Sequence, residues 1–240
     1  MSVVVPGGYR VLPLLLSHLE TESLRAAITA AIDRVARVML TPYDASFPEA
    51  TLEERIERVS GEDRAYASAL LQVVMADVQR DPRVASLATH EALSAHVRAL
   101  LAPETPTGAV IRTRAAIPSF TTRISPWHQD VIRPQERTGC AAVRLACWIP
   151  LSDVDASTGA LEVMPGSWEA PCPHRANDDG HFAIPEESLP AGERRTVTMQ
   201  RGDVLVLDRY VPHRSLPTRG LHGRWAMVMW VKAGGDRAAC

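Results

Sequence analysis

Apolar residues recur at helical spacing through roughly the first hundred positions and change to short, strand-like runs beyond them. Val3-Val4-Val5 reads as a short strand broken by Pro6-Gly7-Gly8, and residues 9–16 begin a buried piece whose type the pattern leaves open. Thr21 is placed to cap a helix reaching about Leu40, with Leu24, Ala27, Ile28, Ala31, Ile32, Val35 and Val38 on its apolar side and Pro42 ending it. Thr51-Leu-Glu-Glu54 is a capping-box pattern, predicting a second helix to about Val59. A third spans Glu62–Val78, with Ala65, Ala69, Leu70, Val73 and Val74 inward. Asp81 and Pro82 read as N-cap and first residue of a short helix, and a last one covers Leu93–Leu101.

Pro103, Pro106 and Gly108 mark the change of texture. Eight strands are predicted after it: Ala109–Ile117, Thr121–Ile124, Trp127–Val131, Ala141–Pro150, Ala160–Met164, Arg195–Met199, Val204–Leu207 and Trp225–Val231. Thr158-Gly159, Pro165-Gly166, Arg201-Gly202-Asp203 and Thr218-Arg219-Gly220 supply turns between them. Val204-Leu-Val-Leu-Asp208 alternates poorly, as a strand buried on both faces does. The expectation is an α+β chain with a mainly β core, a cupin-like jelly roll, and a helix-rich half packed against it. The 240 residues suit one domain, with residues 1–105 helix-rich and 106–233 forming the core.

Composition narrows the function classes. A net charge of −2 provides no general attraction for nucleic acid or a membrane surface. Leu12-Pro-Leu-Leu-Leu16 is too short for a signal or a membrane span. Cys140, Cys147, Cys172 and Cys240 have no zinc-finger spacing, so free thiols and a cytoplasmic location are expected. The basic residues are almost all arginine, with Lys232 alone as lysine, which fits a GC-rich, bacterial source.

Within the β half, Pro126-Trp-His-Gln-Asp130 carries the candidate chemistry. Residues i and i+2 of a strand project from one face, so His128 and Asp130 would point together and Gln129 away. An imidazole and a carboxylate so placed are two thirds of a facial triad that leaves three positions open on Fe(II). His213 is the best third ligand; His222, between two glycines, ranks below it. Asp208 is expected to structure the approach to His213.

Five blocks then follow in order: Trp127-His-Gln-Asp130, Ala146-Cys-Trp-Ile-Pro-Leu-Ser-Asp-Val-Asp155, Gly159-Ala-Leu-Glu-Val-Met-Pro-Gly-Ser167, Gly202-Asp-Val-Leu-Val-Leu207 and His213-Arg-Ser215, with Arg224 beyond. From about residue 110 to 231 this succession resembles the phytanoyl-CoA dioxygenase family of Fe(II)/2-oxoglutarate oxygenases. The resemblance implies a double-stranded β-helix, with His128, Asp130 and His213 as metal ligands that also serve as the catalytic set. It implies that Arg224 and Ser215 hold the far carboxylate of 2-oxoglutarate and that Trp148 lines its pocket. Arginine suits that task because its planar fork meets a carboxylate through two parallel hydrogen bonds. The implied cofactors are Fe(II), 2-oxoglutarate and O2. The implied reaction oxidises a small metabolite, as in bacterial specialised (antibiotic) biosynthesis, and releases succinate and CO2. Related halogenases have a small residue at the carboxylate position, so Asp130 argues for hydroxylation or another halide-free oxidation. No pocket for a fatty acyl tail is legible, so the family's name is not taken as the substrate.

If His213 ends one strand and Arg224 begins its antiparallel neighbour, the turn between them brings both to one pocket. Arg112, Arg114, Arg123, Arg133 and Arg144 lie near the metal motif; Arg133, followed by Arg114, is the first choice for contact with a polar or anionic substrate. His174 and His181 are expected in a solvated loop, and Arg201-Gly-Asp203 in a β-turn. Two other readings use the same residues: a non-catalytic jelly-roll binding protein, and a Zn- or Mn-dependent hydrolase or isomerase, against which Arg224 and Ser215 argue. The expected partner is a small molecule, with no nucleic acid or membrane, and the chain is a monomer or homodimer.

Overall fold

The computed structural model describes residues 6–40, 44–130, 142–166, 170–219 and 222–234. Strand β1 (Tyr9–Leu12) opens it, followed by α1 (His18–Val38), α2 (Leu52–Glu62), α3 (Arg64–Asp77), α4 (Pro82–Ala85) and α5 (Glu91–Leu101). The β half then runs β2 (Pro106–Ala116), β3 (Ala142–Pro150), β4 (Leu161–Val163), β5 (Arg175–Ala176), β6 (Phe182–Ala183), β7 (Arg195–Val197), β8 (Val204–Asp208), β9 (His213–Ser215) and β10 (Arg224–Ala233). The larger sheet has the order β1-β8-β3-β10-β2, the smaller one β7-β4-β9, and β5-β6 form a separate hairpin; every pairing is antiparallel. The chain is therefore a mixed helix and antiparallel-sheet protein, as its patterning predicts.

The larger sheet is buried on both faces, and this explains its continuous apolar strands. Leu145, Cys147, Ile149, Val204, Val206, Trp225, Met227 and Met229 join the helices in one core. The alternate residues Ala146, Trp148, Leu205, Leu207, Ala226 and Val228 face Leu161, Val163 and Val197 of the smaller sheet in a second. Each fully buried Leu, Ile or Val contributes roughly 1.5–3 kcal/mol. Trp225, wholly buried, also donates from its indole to the Leu52 carbonyl at 3.1 Å and so fastens α2 to the sheet. Among the described residues no helix is long and apolar enough to cross a membrane.

Several local expectations are corrected. Ser17, not Thr21, caps α1: it forms a capping box with Glu20, while the Thr21 hydroxyl donates back to the Ser17 and His18 carbonyls. The helix ends at Val38, before Leu40, which turns to φ 57°. Thr51 makes no side-chain cap, the Glu54 carboxylate pairs with Arg58 at 3.0 Å, and α2 continues to Glu62. Asp63 caps α3 through the Tyr66 N–H, and the face packed into the core is Ala67, Leu70, Leu71 and Val74; Ala65, Ala69 and Val73 are exposed. Thr121–Arg123 is a 3-10 turn rather than a strand, and Trp127–Val131 is reduced to one bridge at His128, with Val131 outside the described residues. Cys147 and Cys172 are free; Cys140, Cys240 and the run Val3–Val5 lie outside the described residues.

Other expectations stand. Asp81 caps α4 through the Arg83 N–H, with Pro82 in the first turn. Arg201-Gly202-Asp203 is a turn whose carboxylate accepts from the Gln200 and Leu14 N–H groups. Gly202 is required there, with φ 103° and the Leu16 carbonyl oxygen 2.6 Å from where a Cβ would stand.

The helical layer depends on one buried cation. Arg55, 1% exposed, donates to the Ser46 carbonyl at 2.6 Å and the Ser46 hydroxyl at 3.1 Å and pairs with Asp33. Arg55→Ala removes the donor to the Ser46 carbonyl and hydroxyl and the partner of Asp33, and leaves a void between α1 and α2. Because Asp33 is partly exposed, the loss in stability is expected at the lower end of roughly 3–5 kcal/mol, read as a reduced urea midpoint with unchanged slope.

Candidate metal centre

The segment before Asp130 reaches the smaller sheet by running beside β9. The Ser215 N–H donates to the Ser125 carbonyl at 3.0 Å, and His128 and His213 exchange both backbone hydrogen bonds at 2.9 Å. Trp127 anchors this segment: it is buried against Met164 and Ile184, with the Arg214 and Arg194 guanidinium groups 4.9 and 5.4 Å from its ring. Two histidines remote in sequence thus become direct cross-strand neighbours, their ring centroids 4.2 Å apart.

His128, Asp130 and His213 each turn one ligand atom to a common point, all within 4.8 Å of one another, with His213 Nε2 3.7 Å from Asp130 Oδ2. That is close to the span one ion with bonds of about 2.1 Å can bridge. The Nδ1 of His128 lies 2.8 Å from the Pro126 carbonyl, and that of His213 2.9 Å from the Val211 carbonyl. A carbonyl only accepts, so each Nδ1 carries the proton and each Nε2 presents its lone pair to the centre. Burial, followed by the proximity of His213, pushes His128 down to about 4, against the opposing pull of Asp130, so its imidazole is neutral at pH 7. Two imidazoles and one carboxylate are a donor set for a divalent transition metal.

Gln129 points away from this centre, and its part is structural. Its side-chain amide donates to the Ala170 and Tyr210 carbonyls and accepts from the Cys172 N–H at 2.7 Å, while its backbone N–H donates to His174 Nε2 at 3.1 Å. One buried amide therefore ties the His128 segment to the approach to His213 and to the loop leading into β5. Asp208 completes that approach, accepting from the Tyr210 N–H at 2.9 Å. Gln129→Ala leaves several buried groups unpaired at roughly 1–3 kcal/mol each. It is expected to lower the melting temperature and to weaken metal retention about tenfold, within the range for outer-shell partners, measured by chelator competition.

The centre opens into a cavity of about 540 Å³. Trp148, Ser215 and Arg224 line its inner part and Arg114 its mouth, so the structure brings together every predicted site residue it describes; Arg133 lies outside the described residues. Arg224 is 3% exposed, stands 5.2 Å from the Trp148 ring, and donates to the Gly159 carbonyl at 3.0 Å and the Ser215 hydroxyl at 3.4 Å. Among the described residues it has no carboxylate partner. Burial, followed by the charge of Arg114, lowers it to about 10, so it remains a cation at pH 7. Gly159 makes this approach possible: with φ 83°, a Cβ there would stand 2.9 Å from Thr218 Cγ2 and 3.3 Å from Arg224 Nε.

The expected route from His213 to Arg224 is corrected. His213 opens β9 in the smaller sheet and Arg224 opens β10 in the larger, so the two meet across the sandwich rather than along one hairpin. His174 is not simply solvated: it accepts from Gln129 and stacks on Phe182 at 5.3 Å. His181 lines the cavity, its Nε2 2.7 Å from the Thr122 carbonyl. His222 is exposed and takes no part. The amide hub of Gln129 and the place of His181 were not anticipated; the only advance signal was Gln129's position on the opposite face from two ligands.

A sheet sandwich with helices on one side and a His-Asp-His cluster beside a buried cation defines a class of mononuclear metal site. The chain belongs to the phytanoyl-CoA dioxygenase family, whose model matches residues 7–226. That places it among iron- and 2-oxoglutarate-dependent enzymes. Its fold is shared with SnoK, a non-heme alpha-ketoglutarate-dependent carbocyclase from nogalamycin biosynthesis (19% identity, TM-score 0.55, covering 95% of this chain and 80% of SnoK). EvdO2 from Micromonospora carbonacea var. aurantiaca, solved with 2-oxoglutarate, aligns at 20% identity and TM-score 0.53, covering 95% of this chain and 87% of that one. HygX from Streptomyces hygroscopicus, solved with nickel and 2-oxoglutarate, aligns at 16% identity and TM-score 0.52, covering 96% and 83%. No curated protein sequence gives a significant match.

Proposed function

We propose that this chain is an Fe(II)- and 2-oxoglutarate-dependent oxygenase that oxidises a small organic molecule, on a double-stranded β-helix forming one domain over residues 1–240. The observation that carries the reading is the shared cavity: a His-Asp-His donor set at one side and a buried arginine that, among the described residues, has no carboxylate partner at the other. An enclosed, unpaired guanidinium is costly unless an anion meets it. A metal-dependent hydrolase needs no clamp for a cosubstrate carboxylate, and this weighs against the Zn or Mn alternative.

His128, Asp130 and His213 would hold Fe(II), leaving positions for the near carboxylate and keto oxygen of the oxo acid. Arg224 would grip the far carboxylate through its free N–H edge, with the Ser215 hydroxyl beside it and Trp148 closing one wall. Bound together, iron and 2-oxoglutarate supply an O2-dependent oxidation in which the oxo acid leaves as succinate and CO2. The protein's contribution is placement and exclusion of water: the buried Ala146, Leu161, Leu207 and Val228 supply apolar wall beside the polar groups, which strengthens the carboxylate–guanidinium attraction.

The test is succinate release from 2-oxoglutarate in air with Fe(II) and a panel of small organic acids, ring compounds and glycosides, against the same mixtures under nitrogen. Release that needs iron, oxo acid and O2 together supports the reading. Its absence with a folded, iron-loaded protein would return the chain to the non-catalytic binding alternative.

A further inference from the structure

Outside the oxo-acid end, the cavity has a second cation. Arg114 projects from β2, whose register with β10 sets it opposite Ala226, and lines the mouth next to His128 and Asp130. Among the described residues it has no carboxylate within ion-pair distance and donates no hydrogen bond, although the Asp130 carboxylate is near enough to act on its charge. Its guanidinium lies 5.3 Å from the Trp230 ring centroid. Stacking of this kind holds the plane of the fork and leaves its N–H edge free. The other arginines nearby are engaged differently. Arg123 donates to the Ser68 hydroxyl at 2.8 Å, Arg112 to the Ile111 carbonyl at 3.0 Å, and Arg224 sits deeper, at the oxo-acid end.

The walls around Arg114 are not those of a uniformly polar mouth. Trp230 of β10 and Phe182 of β6 both border it, and Leu71, Met75 and Ile124 continue the apolar lining. A molecule entering beside Trp230 and Phe182 meets apolar and aromatic surface and the Arg114 guanidinium, with Thr122, Ser125, Asp179 and His181 completing the lining.

We propose that Arg114 receives the carboxylate of an organic-acid substrate whose flat, apolar body lies against Trp230 and Phe182, beside the metal centre. The inference rests on the oxygenase reading and adds the substrate's chemical class to it. Two parallel charge-assisted hydrogen bonds then fix the acid's orientation and so select which carbon faces the metal.

The experiment uses protein loaded anaerobically with Fe(II) and saturating 2-oxoglutarate, titrated calorimetrically with 1-naphthoate and with its uncharged counterpart, 1-naphthamide. The wild type is expected to bind the naphthoate at least about tenfold more tightly than the amide. Arg114→Ala should weaken naphthoate to the level of the amide and leave the amide unchanged, with Arg114→Lys between. Equal binding of the two probes, or no binding of naphthoate by the wild type, overturns the proposal. So does an Arg114→Ala variant that weakens both probes alike, since that marks a packing role. A variant whose loss falls on 2-oxoglutarate loading, followed by the visible charge-transfer band, also overturns it by assigning Arg114 to the cosubstrate. If the wild type itself shows no such band, the oxygenase reading fails first and takes this inference with it.

Discussion

His213→Ala is expected to keep the fold and lose iron-dependent succinate release to background. The ring is nearly buried and faces His128 and Asp130, so its removal deletes one of the three donors that the described residues bring to the centre. Outer-shell changes at metal sites cost roughly 10–100-fold, and loss of a ligand should exceed that. The backbone bridge between residues 128 and 213 uses N–H and C=O groups, which alanine retains, so the two segments should stay paired. Iron content by absorption spectrometry and succinate release should fall together, with circular dichroism unchanged. His222→Ala is the internal control: that residue is exposed and outside the cluster, and its variant should match wild type. Turnover by His213→Ala within about tenfold of wild type would remove His213 from the site.

What was legible beforehand follows from where each signal resides. The ligands were readable because the chemistry restricts residue type, and because spacing of two sets His128 and Asp130 toward one side even without a regular strand. The double burial of β8 was readable from its missing alternation. By contrast, the turn at Thr121–Arg123 has strand-like composition but lies where the chain leaves the sheet and packs Arg123 against Ser68, a tertiary contact. The buried face of α3 was misjudged because its apolar residues run almost all the way round, so packing against the neighbouring elements, not the pattern, selects Ala67, Leu70, Leu71 and Val74. The pairing of His213 with His128, rather than with the strand bearing Arg224, depends on which of two sheets receives β9. Short strands of three residues carry too little pattern to specify that.

The second large effect concerns Arg224, where stability and function should move in opposite directions. Arg224→Met removes a buried guanidinium that, among the described residues, has a carbonyl and a hydroxyl as partners but no carboxylate. Methionine fills similar space without a charge to desolvate, so the protein without cosubstrate should be as stable as wild type or more so by about 1–3 kcal/mol. Oxo-acid binding should suffer heavily. Two charge-assisted hydrogen bonds at roughly 1.5–3 kcal/mol each correspond to a loss of about 10²–10⁴-fold in affinity. The two effects meet in one thermal titration. Wild type with metal should gain about 2.7 kcal/mol when 2-oxoglutarate reaches 100 times its Kd, whereas the variant at the same concentration should gain almost nothing. Succinate in place of 2-oxoglutarate separates the contributions, because it retains a far carboxylate but lacks the keto oxygen. If Arg224→Met loses stability and keeps the ligand-induced shift, the guanidinium is a structural brace and the anion is held elsewhere in the cavity.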